Sequence, residues 1–129
     1  MKILQPPGWA RAKGFSNGIA AKGTLVFIAG QIGWDAQQQW RERGFAGQFR
    51  QALQNILEVL GESGGKPNDL VRLTWYVLDR NEYMASLKEV GAAYRELMGK
   101  HYPTMAVVQV SGLVEPEARL EIEATAVVP

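Results

Sequence analysis

The sequence of 129 residues contains no cysteine. That removes disulfides, thiolate nucleophiles and Cys-ligated zinc by inventory, so any attacking group must be oxygen or water. Histidine is almost as scarce: the single His101 stands at no metal-ligand spacing from an acidic residue, and neither a metal nor any other cofactor is expected. Charge of one sign is also missing. Lys and Arg number 14 against 13 Asp and Glu, a formal net charge of +1, and no basic stripe of the kind a phosphate backbone selects is present, so no nucleic-acid partner is expected. Long apolar runs are absent too. The longest, Leu25 to Gly30, falls far short of the roughly 20 residues that cross a bilayer, and Met1 to Pro7 holds no apolar core of a signal peptide. No membrane partner and a cytoplasmic location are the resulting expectations.

What is present is an ordinary globular balance, 47% hydrophobic and 21% charged, in a length that fits one domain with one core. Residues 1–14, with Pro6, Pro7, Gly8 and Gly14, are expected to form an irregular arm. A short strand over Phe15 to Ala20 and a β-branched run from Thr24 to Ile28, joined by the turn Ala21-Lys22-Gly23, predict a hairpin. After a polar loop, Phe45, Phe49, Leu53, Ile56, Leu57 and Leu60 follow helical spacing that Gly64, Gly65 and Pro67 end. Leu70 to Leu78 alternates with period two and reads as a strand. Asp79 or Asn81 caps a second helix with Tyr83, Leu87, Val90, Tyr94 and Leu97 on one stripe, ended by Gly99. Thr104 to Val110 and Leu120 to Val128 supply the last strands.

The order ββαβαββ predicts an α+β two-layer domain over residues 1–129, with both helices on one face of a mixed or antiparallel sheet. The other face then needs a cover. It is expected to carry Met105, Val107 and Gln109 on one strand and Glu121, Glu123 and Thr125 on another, with Ala106, Val108 and Val110 turned to the helices. This mixture is too apolar for water and too charged for a closed core. A subunit interface holding a semi-polar cleft accounts for both properties.

Five segments in order resemble the Rid (reactive intermediate deaminase, YjgF) family: Phe15-Ser16-Asn17-Gly18, Phe27 to Ile32, Gln48 to Ile56, Pro103 to Leu113, and Leu120 to Ala124. Gly-Gln-Ile or an alternating Leu-Glu-Ile-Glu strand is weak alone; the ordered set is specific. The resemblance implies a chorismate-mutase-like homotrimer with small-molecule ligands in three intersubunit clefts. For the best-known branch it implies hydrolysis of enamines and imines to 2-oxo acids and ammonia. That branch relies on an arginine two residues after the proline that opens the third long strand, and here the position is Met105. A charge-assisted hydrogen bond is worth about 1.5 to 3 kcal/mol, so losing a bidentate pair costs roughly two to four orders of magnitude in binding or rate if additive. A thioether does not replace it.

Phe15 stands for the family's tyrosine, Ala29 for a serine, Val107 for a cysteine and Gly91 for an asparagine, whereas Glu121 matches the glutamate that helps hold the attacking water. The resemblance therefore assigns Glu121 the catalytic role and Phe15, Asn17, Gln31, Met105, Val107 and Gln109 the substrate-binding cleft. Arg11, Arg72 and His101 are the cations considered as replacement anchors, each equally readable as a surface or interface charge. Trp9, Trp34 and Trp75 suggest a more apolar cleft. Three functions stay open: an imine or enamine hydrolase with altered specificity, a trimer that binds a metabolite without turning it over, and, disfavoured by the charge balance, a ribonuclease.

Overall fold

A computed structural model describes residues 1–129. Its sheet is set by two strands whose inward residues leave no ambiguity. In β4 (Leu70–Val77), Leu73, Trp75 and Val77 are buried while Arg72 is exposed. In β6 (Leu120–Val128), Leu120, Ile122, Ala124 and Ala126 are buried while Glu123 is exposed. The strands pair antiparallel with Trp75 opposite Ile122 and Tyr76 opposite Glu121, so one face is apolar and the other polar. β3 (Thr24–Gln31) joins the far edge of β6, and β5 (Thr104–Gln109) lies parallel to β4, giving the order β3-β6-β4-β5.

Against the apolar face lies α1 (Phe45–Gly61), which buries Phe49, Leu53, Ile56 and Leu60 completely. The expected second helix is two: α2 (Arg80–Ala85) and α3 (Leu87–Met98). Asp79 caps the first by accepting from the N–H groups of Asn81 and Glu82. At Ser86 the hydroxyl turns back to donate to the Glu82 carbonyl at 2.8 Å, a local alternative to helix hydrogen bonding that lets the axis change. Gly99, at φ 66°, ends α3 where a side chain would be strained. No helix is long and apolar enough to cross a membrane.

Two expectations about the N-terminal third are corrected. The arm is not wholly irregular, because β1 (Lys2–Leu4) pairs antiparallel with β2 (Gly18–Ala20), Ile3 opposite Ile19. Nor does β2 form a hairpin with the next strand. β3 instead takes β6 as partner, Val26 opposite Ala126 and Ile28 opposite Ala124, which brings its inward side chains over α1 and the shared core. A three-residue β2 offers no comparable burial.

The third correction bears on function. Met105, Val107 and Gln109 pair with Leu73, Trp75 and Val77, and directly paired residues share a face. They therefore lie on the helix side, and Ala106 and Val108 lie with Glu121, Glu123 and Thr125 on the open side, the reverse of the expected parity. Thr104 to Gln109 is apolar on both faces apart from its ends, so alternation within it carries no phase; only its partner strand decides.

Candidate functional site

β5 is an edge strand, and beside its free edge the loop Lys13–Phe15 and helix α3 enclose a cavity of about 400 Å³ lined by Phe15, Trp75, Tyr83, Gly91, Arg95, Met105 and Val107 among others. Gly14, at φ 76°, makes the turn that brings Phe15 to this wall. The loop is then pinned to β5. Ser16 donates its hydroxyl to the Tyr102 carbonyl at 2.5 Å and its N–H to the Pro103 carbonyl at 3.1 Å, bridging alongside Thr104.

Aromatic packing sets the floor and back. Trp75 stacks on Phe49 at 4.8 Å and meets Tyr83 edge-on at 6.0 Å. Its indole Nε1 is buried without a partner. Tyr94 and Tyr102 stack nearly parallel at 5.2 Å, and Tyr94 donates to the His101 carbonyl at 2.6 Å. Burial, and then the neighbouring Tyr102, hold the Tyr94 phenol far above its ordinary range, so it stays a neutral donor.

Phe15, Met105 and Val107 are thus brought together within one chain. The other assigned residues are not. Gln109 accepts from the Arg80 N–H at 2.8 Å and tethers the end of β5 to the start of α2. Asn17 donates to Gln5 Oε1 at 2.8 Å and holds the arm, while Gln31 donates to the Ala29 carbonyl at 3.0 Å and faces a shallow depression beside Trp34. Glu121, half-buried, is on the opposite face of the sheet, packed so closely over Gly30 that a Cβ there would run into its carboxylate. Glu123 next to it on that face accepts from the Tyr76 hydroxyl at 2.5 Å, a bond that, ahead of burial, raises the Tyr76 phenol above its usual range.

Among the cations considered, His101 is structural, its Nε2 lying 2.7 Å from the Leu70 carbonyl, which fixes the proton on that nitrogen. Arg72 lies on the open face with Phe27 and Glu123, and Arg11 is not among the cavity's residues. Lys13 and Arg95 are. Sequence reading passed over both. The available signal was that Arg95 follows Gly91 by one helical turn, so the two share a face. Of the tryptophans only Trp75 reaches the cavity; Trp9 is 62% exposed and Trp34 packs on Trp40 at 5.8 Å.

The comparisons agree with this architecture. A family model described as Endoribonuclease L-PSP matches residues 8–128. A RutC family protein of Pyrococcus horikoshii is 37% identical over 113 residues, covering 87% of this chain and 85% of the relative. A 2-iminobutanoate/2-iminopropanoate deaminase of Salmonella typhimurium is 31% identical, over 81% of this chain and 80% of its own. The crystal structure of a Rid-family protein from Yersinia pestis superposes with a TM-score of 0.87 at 30% identity, covering 98% of each chain. With the whole fold and nearly the whole sequence accounted for, the chain belongs to the Rid (YjgF) family.

Proposed function

We propose that the protein is a Rid-type hydrolase that converts the C=N bond of an imine to a carbonyl, and that the cavity beside β5 is its substrate site. The observation that carries this reading is the convergence of Phe15, Gly91, Met105 and Val107, from a loop, a helix and a strand, on one open-mouthed cavity. Phe15, Met105 and Val107 are positions at which the family resemblance places site residues, and Gly91 is a departure from the family pattern. Deaminase names among the relatives support the reaction class.

Chemically, water attacks the C=N carbon, the π pair moves to nitrogen, and the resulting carbinolamine expels ammonia as the carbonyl forms. The step needs a base near the water. Glu121 is the candidate, yet it and the cavity lie on opposite faces of one sheet, so a single chain does not unite them. A second copy, packed by its open face against the cavity mouth, does. The site is therefore an intersubunit one, and a homotrimer is the assembly proposed.

Ammonia and oxo-acid release would be timed while an amino-acid oxidase generates aliphatic and aromatic imines in the presence of the purified protein. Acceleration over buffer, lost in Glu121→Gln, is the expected result. No acceleration with any imine, together with a ligand-induced thermal shift, would replace the hydrolase by a trimer that only binds a metabolite.

A further inference from the structure

The cavity lacks the family's arginine on β5 but not a guanidinium. Arg95 lines it from α3, as Met105 does from β5. Helical side chains lean toward the N-terminus and cover the preceding turn, and the residue one turn back is Gly91. A Cβ at Gly91 would lie 3.2, 3.9 and 4.0 Å from Nη1, Cζ and Nη2 of Arg95, so the guanidinium rests over bare backbone. A side chain at 91 would compete for that place. The two departures from the family pattern, Gly91 and Met105, thus belong together: one clears room on the helix for the charge that the other has removed from the strand.

Arg95 is also unengaged. Three ion pairs form in the chain, through Arg41, Arg50 and Arg119; the neighbouring Glu96 is taken by Arg50 through two bonds of 2.8 and 2.7 Å. Around the cavity, Lys13 and Arg95 are the charged residues and no Asp or Glu contributes, while nine of the 13 lining residues are hydrophobic. Two cations and an aromatic lining describe a complement: an anionic oxygen attached to an apolar body.

We propose that Arg95, laid over Gly91, is the carboxylate anchor of this cavity, and that its ligands are carboxylates bearing an aromatic or bulky apolar group. The binding claim stands on the cavity alone; only its extension to a substrate rests on the deaminase reading. Arg95 offers the planar fork that Lys13, a point charge on a loop, does not, so the arginine carries the selectivity.

The test compares 3-phenylpropanoate with its uncharged amide by calorimetry on the full-length protein. The carboxylate is expected to bind at least tenfold more tightly than the amide. In Arg95→Gln that preference should disappear, a loss of about tenfold to hundredfold in carboxylate affinity, with amide binding unchanged. Gly91→Asn should reproduce the loss by displacing the guanidinium, and Arg95→Lys should keep part of the preference. Equal binding of both probes to the native protein would overturn the assignment. So would a preference that survives Arg95→Gln or vanishes only in Lys13→Gln. Imine hydrolysis separates the two readings: if the probes behave as expected but no imine is hydrolysed, the deaminase reading fails and the anchor stands. If imines are hydrolysed and Arg95→Gln leaves KM for charged and uncharged imines equally unaffected, the anchor fails and the deaminase reading stands.

Discussion

Gly91 sits in the interior of α3, where glycine costs about 0.8 to 1 kcal/mol relative to alanine. A Cβ there meets no backbone, only the mobile tip of Arg95. Gly91→Ala is therefore expected to stabilise the fold by up to about 1 kcal/mol, read as a rise in Tm, while nudging the guanidinium and weakening carboxylate binding. A drop in Tm would mean that the helix needs glycine for its own packing. Gln48 presents the opposite case. It is fully buried, donates to the Glu42 and Glu117 carbonyls at 3.2 and 2.9 Å, and accepts from the Arg119 N–H at 2.7 Å. Gln48→Met fills similar volume but strands three backbone groups, at about 1 to 3 kcal/mol for each that stays buried. A loss of at least roughly 2 kcal/mol in urea unfolding is expected, and a change below about 0.5 kcal/mol would show that water reaches those groups. At this scale the site was partly legible. Met105 and Phe15 stand inside ordered motifs, which single them out in the sequence, and both line the cavity, whereas Arg95, an exposed arginine on a polar helix face, has the sequence signature of a solvated charge. Only the backbone beneath it reveals what it covers.

Elements were legible in proportion to how one-sided their environment is. α1, β4 and β6 each have one face in the core and one outside, and their periodicities fixed type, extent and facing. β5 lies on an edge with a cavity on one side, and the residues it turns to the open face, Ala106 and Val108, are apolar too, so its phase was misread. β1, at three residues, is too short to show a period. The junction of α3 with β5 carries its own test. Tyr94 donates to His101 and stacks on Tyr102, tying the end of the helix to the segment that leads into the strand. Its phenol is raised by burial and then by Tyr102; the Tyr83 phenol is raised by burial as well. A folded-state pKa above the unfolded value means that the folded form holds the proton more tightly. The associated stability is complete below pH about 10, the ordinary tyrosine value, and is lost progressively as pH rises above it. Denaturant midpoints should therefore fall between pH 10 and 11.5, and Tyr94→Phe should flatten that fall while lowering the midpoint at pH 7. An unchanged alkaline slope in Tyr94→Phe would remove this residue as its source.

For the molecule as a whole, the two faces of the sheet pose different problems. The helix side packs its core beneath α1, with Phe49, Leu53, Leu73 and Ile122 fully buried, and opens at the cavity beside β5. The open side leaves Phe27 75% exposed, Leu25 60% and Val108 43%, set among Arg72, Tyr76, Glu121 and Glu123. Apolar side chains on the edge strands β3 and β5 thus flank a polar middle in which Tyr76 is bonded to Glu123, a mixture that suits the interface proposed for this face and the semi-polar cleft expected from the sequence, even though Met105 and Val107 are on the other side. In the proposed intersubunit site, assembly and chemistry are linked through Glu121, because only a neighbour's open face can bring that carboxylate to a cavity on the helix side. Phe27, Thr125 and Arg72 form one row across the open face. Phe27→Lys would place a second cation in that row while touching nothing in the core of the single chain. The native protein is expected to sediment at about three times the 14.3 kDa chain mass, and Phe27→Lys as a monomer with unchanged far-UV circular dichroism. Imine hydrolysis should vanish with the assembly, although the variant keeps Glu121, Met105 and Arg95. Hydrolysis that survives in a monomer would sink the intersubunit role of Glu121, since within one chain the sheet itself stands between that carboxylate and the cavity.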